Sequence, residues 1–217
     1  MNRLTNHILL ISTTITIVFF LASCGGGVSS NKYLGELPGL AKKYTQEIDD
    51  LKSSLKASTD ISESFGLQKE LKNLKDEAKD AIKEYLANNT LAPIPFEQKA
   101  EYPYTISEVT VDPGNKSISS LVLNAKIKFN KSLTAEELRG MFGGFGSTAW
   151  AYANVLDSQG KRLMKTMFNL SIPYSSEQYR AKEGVEYTMK GSIYKLSEME
   201  DFAKIVFISQ DDFNKQK

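Results

Sequence analysis

The amino-acid sequence predicts an α+β fold in which an N-terminal antiparallel helical hairpin, residues 38–90, precedes an antiparallel β-sandwich, residues 94–217. Two observations lead to this prediction. Before Pro93, apolar residues recur every three or four positions, which is the spacing of one face of an amphipathic helix. After Pro95 the apolar period falls to two, and six or seven short strands separated by turn residues are typical of a sandwich.

Residues 1–23 are predicted to be an export signal that contributes nothing to the fold. Arg3 gives a basic start without an acid, and residues 8–22 carry no charge. A basic start, an apolar segment and small residues at the cleavage site are the layout of a secretory signal. Fifteen uncharged residues are short for a membrane-spanning helix, which needs about 20, so a retained signal anchor is the less favoured alternative.

The predicted signal ends in Leu21-Ala22-Ser23-Cys24, which resembles the lipobox of bacterial lipoproteins. The resemblance implies cleavage before Cys24, attachment of diacylglycerol to its thiol and acylation of the new amino end. Cys24 is the single cysteine of the chain, which suits lipidation because one cysteine forms no internal disulfide. Several acyl chains, at about 0.8 kcal/mol per buried methylene, hold a protein firmly on a membrane.

Residues 24–37 are predicted to be a flexible tether, because the glycines and serines that follow Cys24 favour a coil. No acidic residue directly follows Cys24, and no acidic cluster lies nearby. By resemblance to lipoprotein sorting, these two absences imply attachment to the outer membrane with the protein facing the periplasm.

The predicted hairpin consists of two amphipathic helices separated by Ser58-Thr59-Asp60. The apolar stripe of the first helix is Leu40, Tyr44, Ile48, Leu51 and Leu55, and that of the second is Leu67, Leu71, Leu74, Ala78, Ala81 and Tyr85. Asp60 is suited to cap the second helix because Glu63 follows three positions later. Since Ser, Thr and Asp form helix poorly, two helices are favoured over the alternative of one long bent helix.

Turn residues divide the predicted sandwich into strands. Alternation predicts strands over residues 105–111 and 121–129, with Asp112-Pro113-Gly114-Asn115 as the turn between them. Thr134, with Glu137 three positions later, predicts the start of a short helix that the glycine-rich residues 140–146 end. Further strands are predicted over residues 148–157, 162–172, 185–194 and 204–209, with a turn at 157–160 and a helical corner at 197–202.

The spacing of these strands resembles the immunoglobulin-like domains of uncharacterised lipoproteins of the Bacteroidetes type. The resemblance implies that residues 94–217 form an antiparallel immunoglobulin-like β-sandwich.

The amino-acid composition argues against several classes of catalytic and metal-binding site. The one histidine, His7, lies in the predicted signal, and Cys24 is predicted to carry lipid, which excludes Ser-His-Asp and Cys-His catalysis and argues against zinc. No Asp-x-Asp-x-Asp-Gly calcium loop occurs, so calcium held by loop carboxylates is only a minor alternative, and no metal and no cofactor are expected. The chain has 27 basic and 26 acidic residues, and cleavage removes one basic residue, Arg3. The mature chain then has a formal net charge of zero, so no attraction to nucleic acid is expected.

The first candidate binding residues, Phe142 and Phe145, lie in the glycine-rich segment 140–146. A phosphate-binding loop follows a strand and opens a helix, whereas these glycines follow a predicted helix, which argues against nucleotide binding. Met141, Phe142 and Phe145 are therefore expected either to meet a partner or, as the favoured alternative, to form a loop whose aromatic rings fold back over the core.

The second candidate pair, Trp150 and Tyr152, shares one face of a predicted strand whose other face carries alanines at positions 149, 151 and 153. If the alanines face inward, the two rings form a binding patch. The sequence favours the opposite arrangement, with the rings in the core, because large aromatic side chains dominate core burial.

We therefore expect a non-enzymatic, membrane-anchored envelope lipoprotein that binds a protein or glycan partner. One alternative is an envelope hydrolase of the glycosidase kind that uses carboxylates only. Its candidate acids would be the pairs Glu136-Glu137, Glu198-Glu200 and Asp211-Asp212. The other alternative is a structural module whose hairpin pairs as a coiled coil.

Overall fold

The computed structural model describes residues 31–143, 146–173 and 177–215. Within these ranges the chain forms four α-helices, nine strands and one turn of 3-10 helix at Leu196–Glu198. The helices are α1 (Leu37–Ala57), α2 (Ile61–Asn88), α3 (Ala135–Phe142) and α4 (Gln210–Lys215). The strands are β1 (Phe96–Gln98), β2 (Tyr104–Val111), β3 (Ser120–Phe129), β4 (Leu133–Thr134), β5 (Thr148–Asp157), β6 (Arg162–Ser171), β7 (Tyr179–Ala181), β8 (Glu186–Tyr194) and β9 (Phe202–Ile208).

Two predicted helix starts are confirmed by their capping contacts. The Asp60 carboxylate accepts a hydrogen bond from the Glu63 N–H at 2.8 Å, which satisfies one free amide of the first turn of α2. α3 begins with a capping box, in which Thr134 and Glu137 each accept a hydrogen bond from the other's backbone N–H.

The helices α1 and α2 are joined by residues 58–60 and contact each other. The Tyr44 hydroxyl donates to the Glu77 carboxylate at 3.2 Å. The N–H of Glu36, the residue before α1, donates to the Tyr85 hydroxyl at 3.0 Å. The start of α1 therefore lies beside the end of α2. In the described part of the chain, no helix is both long and apolar enough to cross a membrane.

Seven strands form one mainly antiparallel sheet, in the order β1-β9-β5-β6-β8-β3-β2. The exception is β1, which runs parallel to β9. The strands β4 and β7 form a separate two-stranded sheet. The bounds of the larger strands agree with the predicted segments to within two residues, whereas β1, β4 and β7 were not predicted.

The seven-stranded sheet curls until it is nearly closed into a barrel. Gln98 of β1 bridges the two edges, because its side-chain oxygen accepts from the Ile106 N–H at 3.0 Å and its amide donates to the Tyr104 carbonyl at 3.3 Å. The predicted immunoglobulin-like β-sandwich is not confirmed, since a sandwich needs two facing sheets. An alternating pattern gives each strand one buried face in either architecture and does not distinguish them.

One hydrophobic core joins the barrel to the base of the helix pair. Leu37 and Ala41 of α1, together with Ile82 and Leu86 of α2, belong to the same cluster of buried side chains as the barrel interior. By contrast, no side chain of α2 before Ala78 is buried. The helix pair is therefore packed against the barrel at one end.

The start of the described chain is bonded to the barrel. The Asn31 side-chain amide donates to the carbonyls of Glu200 and Phe202 at 2.7 and 2.8 Å. Leu34 is fully buried, and the backbone groups of Asn31 and Gly35 bond each other in both directions at 2.8 Å. Residues 31–37, the last part of the predicted tether, are thus held against the fold, while the predicted signal, including Leu21, Ala22, Ser23 and Cys24, lies outside the described residues.

Candidate functional site

The two faces of β5 differ sharply in side-chain size. Ala149, Ala151 and Ala153 are fully buried inside the barrel, while Trp150 and Tyr152 lie half-buried on the outer face. The favoured expectation, that these two rings form the core, is therefore wrong. The barrel interior is already filled by other rings, which leaves room only for small residues along β5.

The strand register shows which rings fill that space. Phe168 of β6 stands opposite Ala151, and Phe207 of β9 stands opposite Ala153. Both phenylalanines are fully buried, with ring centroids 5.2 Å apart. A second large ring at either alanine position would collide with them, so the alternation of β5 must point Trp150 outward.

Trp150 and Tyr152 line a cleft of about 670 Å³ at one end of the barrel. The other walls come from the loop before β2, from α3 and from the junction of β9 with α4. The lining residues are Ala100, Glu101, Tyr102, Pro103, Met141, Phe142, Trp150, Tyr152, Ser209 and Gln210. This volume is within the range of small-molecule binding sites, which is about 300–1,000 Å³.

Stacked rings form one wall of this aromatic cleft. Tyr102 lies parallel to the buried Tyr104, with centroids 5.0 Å apart and an interplanar angle of 4°. Phe142 stacks on Tyr104 as well, at 6.3 Å and 23°. Because Tyr104 is fixed in the core, the two rings that face the cleft are held in place before any ligand arrives.

Tyr102 and Tyr104 also hold the backbone of β5 in place by hydrogen bonds. The Tyr104 hydroxyl donates to the Trp150 carbonyl at 2.5 Å. The Tyr102 hydroxyl accepts from the Tyr152 N–H at 3.1 Å and donates to the Ile208 carbonyl. Burial raises the pKa of both phenols above the usual tyrosine value, so both remain protonated donors further into the alkaline range than an exposed tyrosine does.

The helix α4 covers the outer side of Tyr152. The Phe213 ring lies 4.9 Å from the Tyr152 ring, and the Lys165 ammonium lies 4.8 Å from the Phe213 ring centroid. Trp150 also lines a second depression of about 370 Å³, which extends across β6 and β8. The indole therefore borders two adjacent concave surfaces.

The chemistry available in the aromatic cleft is stacking and hydrogen bonding. Glu101 is the one charged side chain among its lining residues, so the lining lacks the pair of carboxylates that glycoside hydrolysis uses. Among the described residues, no group of three or more His, Cys, Asp or Glu is arranged to hold a metal ion.

Three of the predicted binding residues, Phe142, Trp150 and Tyr152, come together in the aromatic cleft. The fourth, Phe145, lies outside the described residues. Tyr102 was not among the four predicted binding residues, whereas Met141 was expected to face a partner together with Phe142 and Phe145. The available signal was Tyr102-Pro103-Tyr104 at the start of β2, which places two tyrosines where the chain enters the sheet.

Comparisons of this chain with protein-family models, with curated proteins and with solved structures found no match. The function of the site is therefore inferred from its own residues and geometry.

Proposed function

We propose that the protein is a non-enzymatic binding module that is anchored to the membrane and takes a glycan in the aromatic cleft. The observation that supports this proposal most is the inversion along β5, where alanines occupy the core and Trp150 and Tyr152 line a cleft. Because Phe168 and Phe207 leave no room for further rings inside the barrel, Trp150 and Tyr152 present a half-buried aromatic surface to the cleft, and such a surface suits contact with a ligand.

The composition of the cleft favours a neutral saccharide. Flat aromatic faces stack on the C–H faces of sugar rings, and the half-buried Trp150 offers such a face. Glu101, Ser209 and Gln210 supply hydrogen-bonding groups at the rim. A peptide is the competing ligand class, and the binding test below distinguishes it.

The proposed position of the module is at the outer membrane, facing the periplasm, with lipid on Cys24. This part of the proposal depends on the resemblance of Leu21-Ala22-Ser23-Cys24 to a lipobox. We further infer that α1 and α2 are an antiparallel helical hairpin, because Tyr44 contacts Glu77 and Glu36 contacts Tyr85.

The anchor is tested by Cys24→Ala in the native host. The variant should either release the chain from the membrane fraction or leave an uncut precursor, as seen by fractionation and mass spectrometry of the amino end. Normal membrane retention after normal processing would show that Cys24 is not the anchor.

Glycan binding is tested with the intrinsic fluorescence of Trp150, which is the only tryptophan in the chain. The full chain is titrated with short oligosaccharides built from glucose, mannose or N-acetylglucosamine, and separately with proline-rich and aromatic peptides. A saturable change in emission with one oligosaccharide class, and none with the peptides, supports the proposal. Saturation by peptides alone would reassign the cleft to peptide binding.

Variants locate the ligand by isothermal titration calorimetry. Trp150→Ala should weaken oligosaccharide binding by about tenfold or more, because stacking on an aromatic ring contributes roughly 1–3 kcal/mol per ring by analogy with base stacking. The matched control is Tyr179→Ala, an exposed ring on β7 outside the cleft, which should bind as the wild type does. Equal losses in both variants would place binding elsewhere.

A further inference from the structure

A second cleft, of about 810 Å³, lies between the helix pair and the loop that joins β2 to β3. Its lining residues come from α1, from α2, from the loop and from β3. They are Ile48, Lys52, Lys75, Lys79, Gly114, Asn115, Lys116, Ser117, Ile118, Ser119, Ser120 and Val122. This cleft shares no lining residue with the aromatic cleft, and we call it the lysine cleft.

The lysine cleft combines a cationic rim with an apolar surface. Four lysines line it, and no Asp or Glu does. The apolar contribution comes from Ile48, which is buried, and from the half-buried Ile118 and Val122. A ligand that fits both features has an anionic head and an apolar body.

Two of the four lysines are partly neutralised within their own helices. Lys52 pairs with Asp49 at 2.7 Å, and Lys79 pairs with Asp76 at 2.9 Å, each over three residues of one helix. Lys75 and Lys116 have no carboxylate within ion-pair distance in the described part of the chain. Their positive charges therefore remain for a ligand.

The charges of the helix pair are separated between its two sides. Lys75 and Lys79, four residues apart on α2, face the lysine cleft together. A different groove between α1 and α2 is lined by four acids, Glu47, Asp50, Glu70 and Glu77, and by no lysine. Because the whole chain has a formal net charge of only +1, this separation does not arise from an excess of lysine.

The loop that forms the opposite wall is held in place before a ligand binds. The buried Asn115 side chain donates to the carbonyls of Ser117 and Ser120 and accepts from the Val122 N–H at 3.3 Å. The Ser117 hydroxyl accepts from the N–H groups of Ser119 and Ser120, each at 3.2 Å. Lys116 therefore extends from a fixed loop, which reduces the entropy lost on binding.

We propose that the lysine cleft binds a single-chain amphiphile with an anionic head, such as a fatty acid or an alkyl phosphate. The carboxylate or phosphate contacts Lys75 and Lys116, with Lys52 and Lys79 at the rim. The aliphatic chain covers Ile48, Ile118 and Val122. This site is independent of glycan binding in the aromatic cleft, so either one can be disproved without the other.

The test uses the purified full chain in nanodiscs of zwitterionic phosphatidylcholine, which has no net charge, with empty nanodiscs as the blank for partitioning. Calorimetric titrations compare octyl phosphate, octanoate, octyl glucoside and inorganic phosphate, with the three amphiphiles kept below their critical micelle concentrations. The two anionic amphiphiles should bind at least tenfold more tightly than octyl glucoside and than inorganic phosphate. Their affinity should fall as the salt concentration rises from about 0.05 M to about 0.5 M, because salt screens exposed charges.

The lysines are tested by the double variant Lys75→Gln, Lys116→Gln, which should weaken octyl phosphate binding by about fivefold or more. The matched control, Lys43→Gln with Lys161→Gln, removes the same charge outside the cleft and should retain wild-type affinity. Ile118→Ser should weaken octyl phosphate but leave the weak binding of inorganic phosphate unchanged.

Four outcomes would overturn the proposal. Equal binding of octyl glucoside would show that the head charge is not recognised. Equal binding of inorganic phosphate would show that the apolar chain is not recognised. An equal loss in the control variant would reduce the effect to overall charge, and the absence of saturable binding by both anionic amphiphiles would leave no such site.

Discussion

The inner and outer faces of β5 place opposite demands on one strand. The inner face carries alanines because Phe168 and Phe207 stand opposite them and occupy the interior. The outer face carries Trp150 and Tyr152, which the interior cannot accommodate. Side-chain size on a strand is therefore set by the space across the barrel as much as by the hydrophobicity of the residue.

The two faces of β5 are also expected to contribute to different properties, the inner face to stability and the outer face to binding. Residues on the inner face are enclosed on all sides, so their loss leaves a cavity that the barrel cannot easily fill. Residues on the outer face are half-buried, so when one of them is truncated, solvent can occupy part of the space that its side chain leaves. We therefore expect interior changes to dominate the free energy of unfolding and exterior changes to dominate ligand affinity.

The largest effect is expected for Phe168→Ala in the barrel interior. Removing a fully buried phenylalanine should lower the free energy of unfolding by about 3–5 kcal/mol, through lost burial and a new cavity. Urea denaturation followed by circular dichroism measures this value. The matched control is Met167→Ala, the neighbouring residue on the outer face, which is 39% exposed and should cost about 1 kcal/mol or less. Equal costs would show that β6 does not divide into an inner and an outer face.

Gly191→Ala is expected to have the next largest effect. A Cβ at Gly191 would lie 2.7 Å from the Phe168 ring, so the substitution should cost about 1–3 kcal/mol through overpacking. Gly140→Ala in α3 is the control, since no atom lies within 4 Å of the added Cβ and alanine favours helix. Combining Gly191→Ala with Phe168→Leu should cost less than the sum of the two, and strict additivity would contradict the contact.

Tyr104→Phe should produce a smaller effect that depends on pH. Burial raises the pKa of Tyr104 in the folded state above the value of about 10 in the unfolded chain. The unfolded state therefore releases the phenol proton first, and the wild type should lose stability as the pH rises above about 10.

The phenylalanine variant separates the two contributions of this phenol. At pH 8 it should be about 1 kcal/mol less stable, because the Trp150 carbonyl loses its donor. Between pH 9.5 and 11 its stability should decline less steeply than that of the wild type, and adding Tyr102→Phe should flatten the profile further. An unchanged alkaline slope in both the single and the double variant would show that neither phenol changes its pKa on unfolding.

Local chemistry was readable from the sequence because it acts over a few residues. Asp60 and Glu63, like Thr134 and Glu137, lie within one helical turn, so the caps follow from spacing alone. The long strands were predictable for the same reason, because the alternation of apolar and polar residues is also a local pattern. The closure of the barrel depends instead on Gln98 meeting β2 side by side, which no local pattern encodes.

The candidate site was only half predictable on the same grounds. The sequence placed Trp150 and Tyr152 on one face of a strand, but the preference of large rings for the core selected the wrong face, because an alternating pattern is symmetric until the opposite strands are known. Tyr102 reaches the site through contacts with β5 that lie 50 residues away in the chain. Such contacts depend on the register of the whole sheet.

The smallest effect on stability is expected for Trp150→Thr on the outer face of β5. Threonine favours strands, and the backbone carbonyl that accepts from Tyr104 is retained, so the free energy of unfolding should change by about 1 kcal/mol or less. In the same variant, oligosaccharide affinity should fall by about tenfold, because the stacking surface is gone. A loss of stability as large as that of Phe168→Ala would place the indole in the core after all. A loss of affinity without a loss of stability would establish that this ring serves the ligand, because the fold does not depend on it.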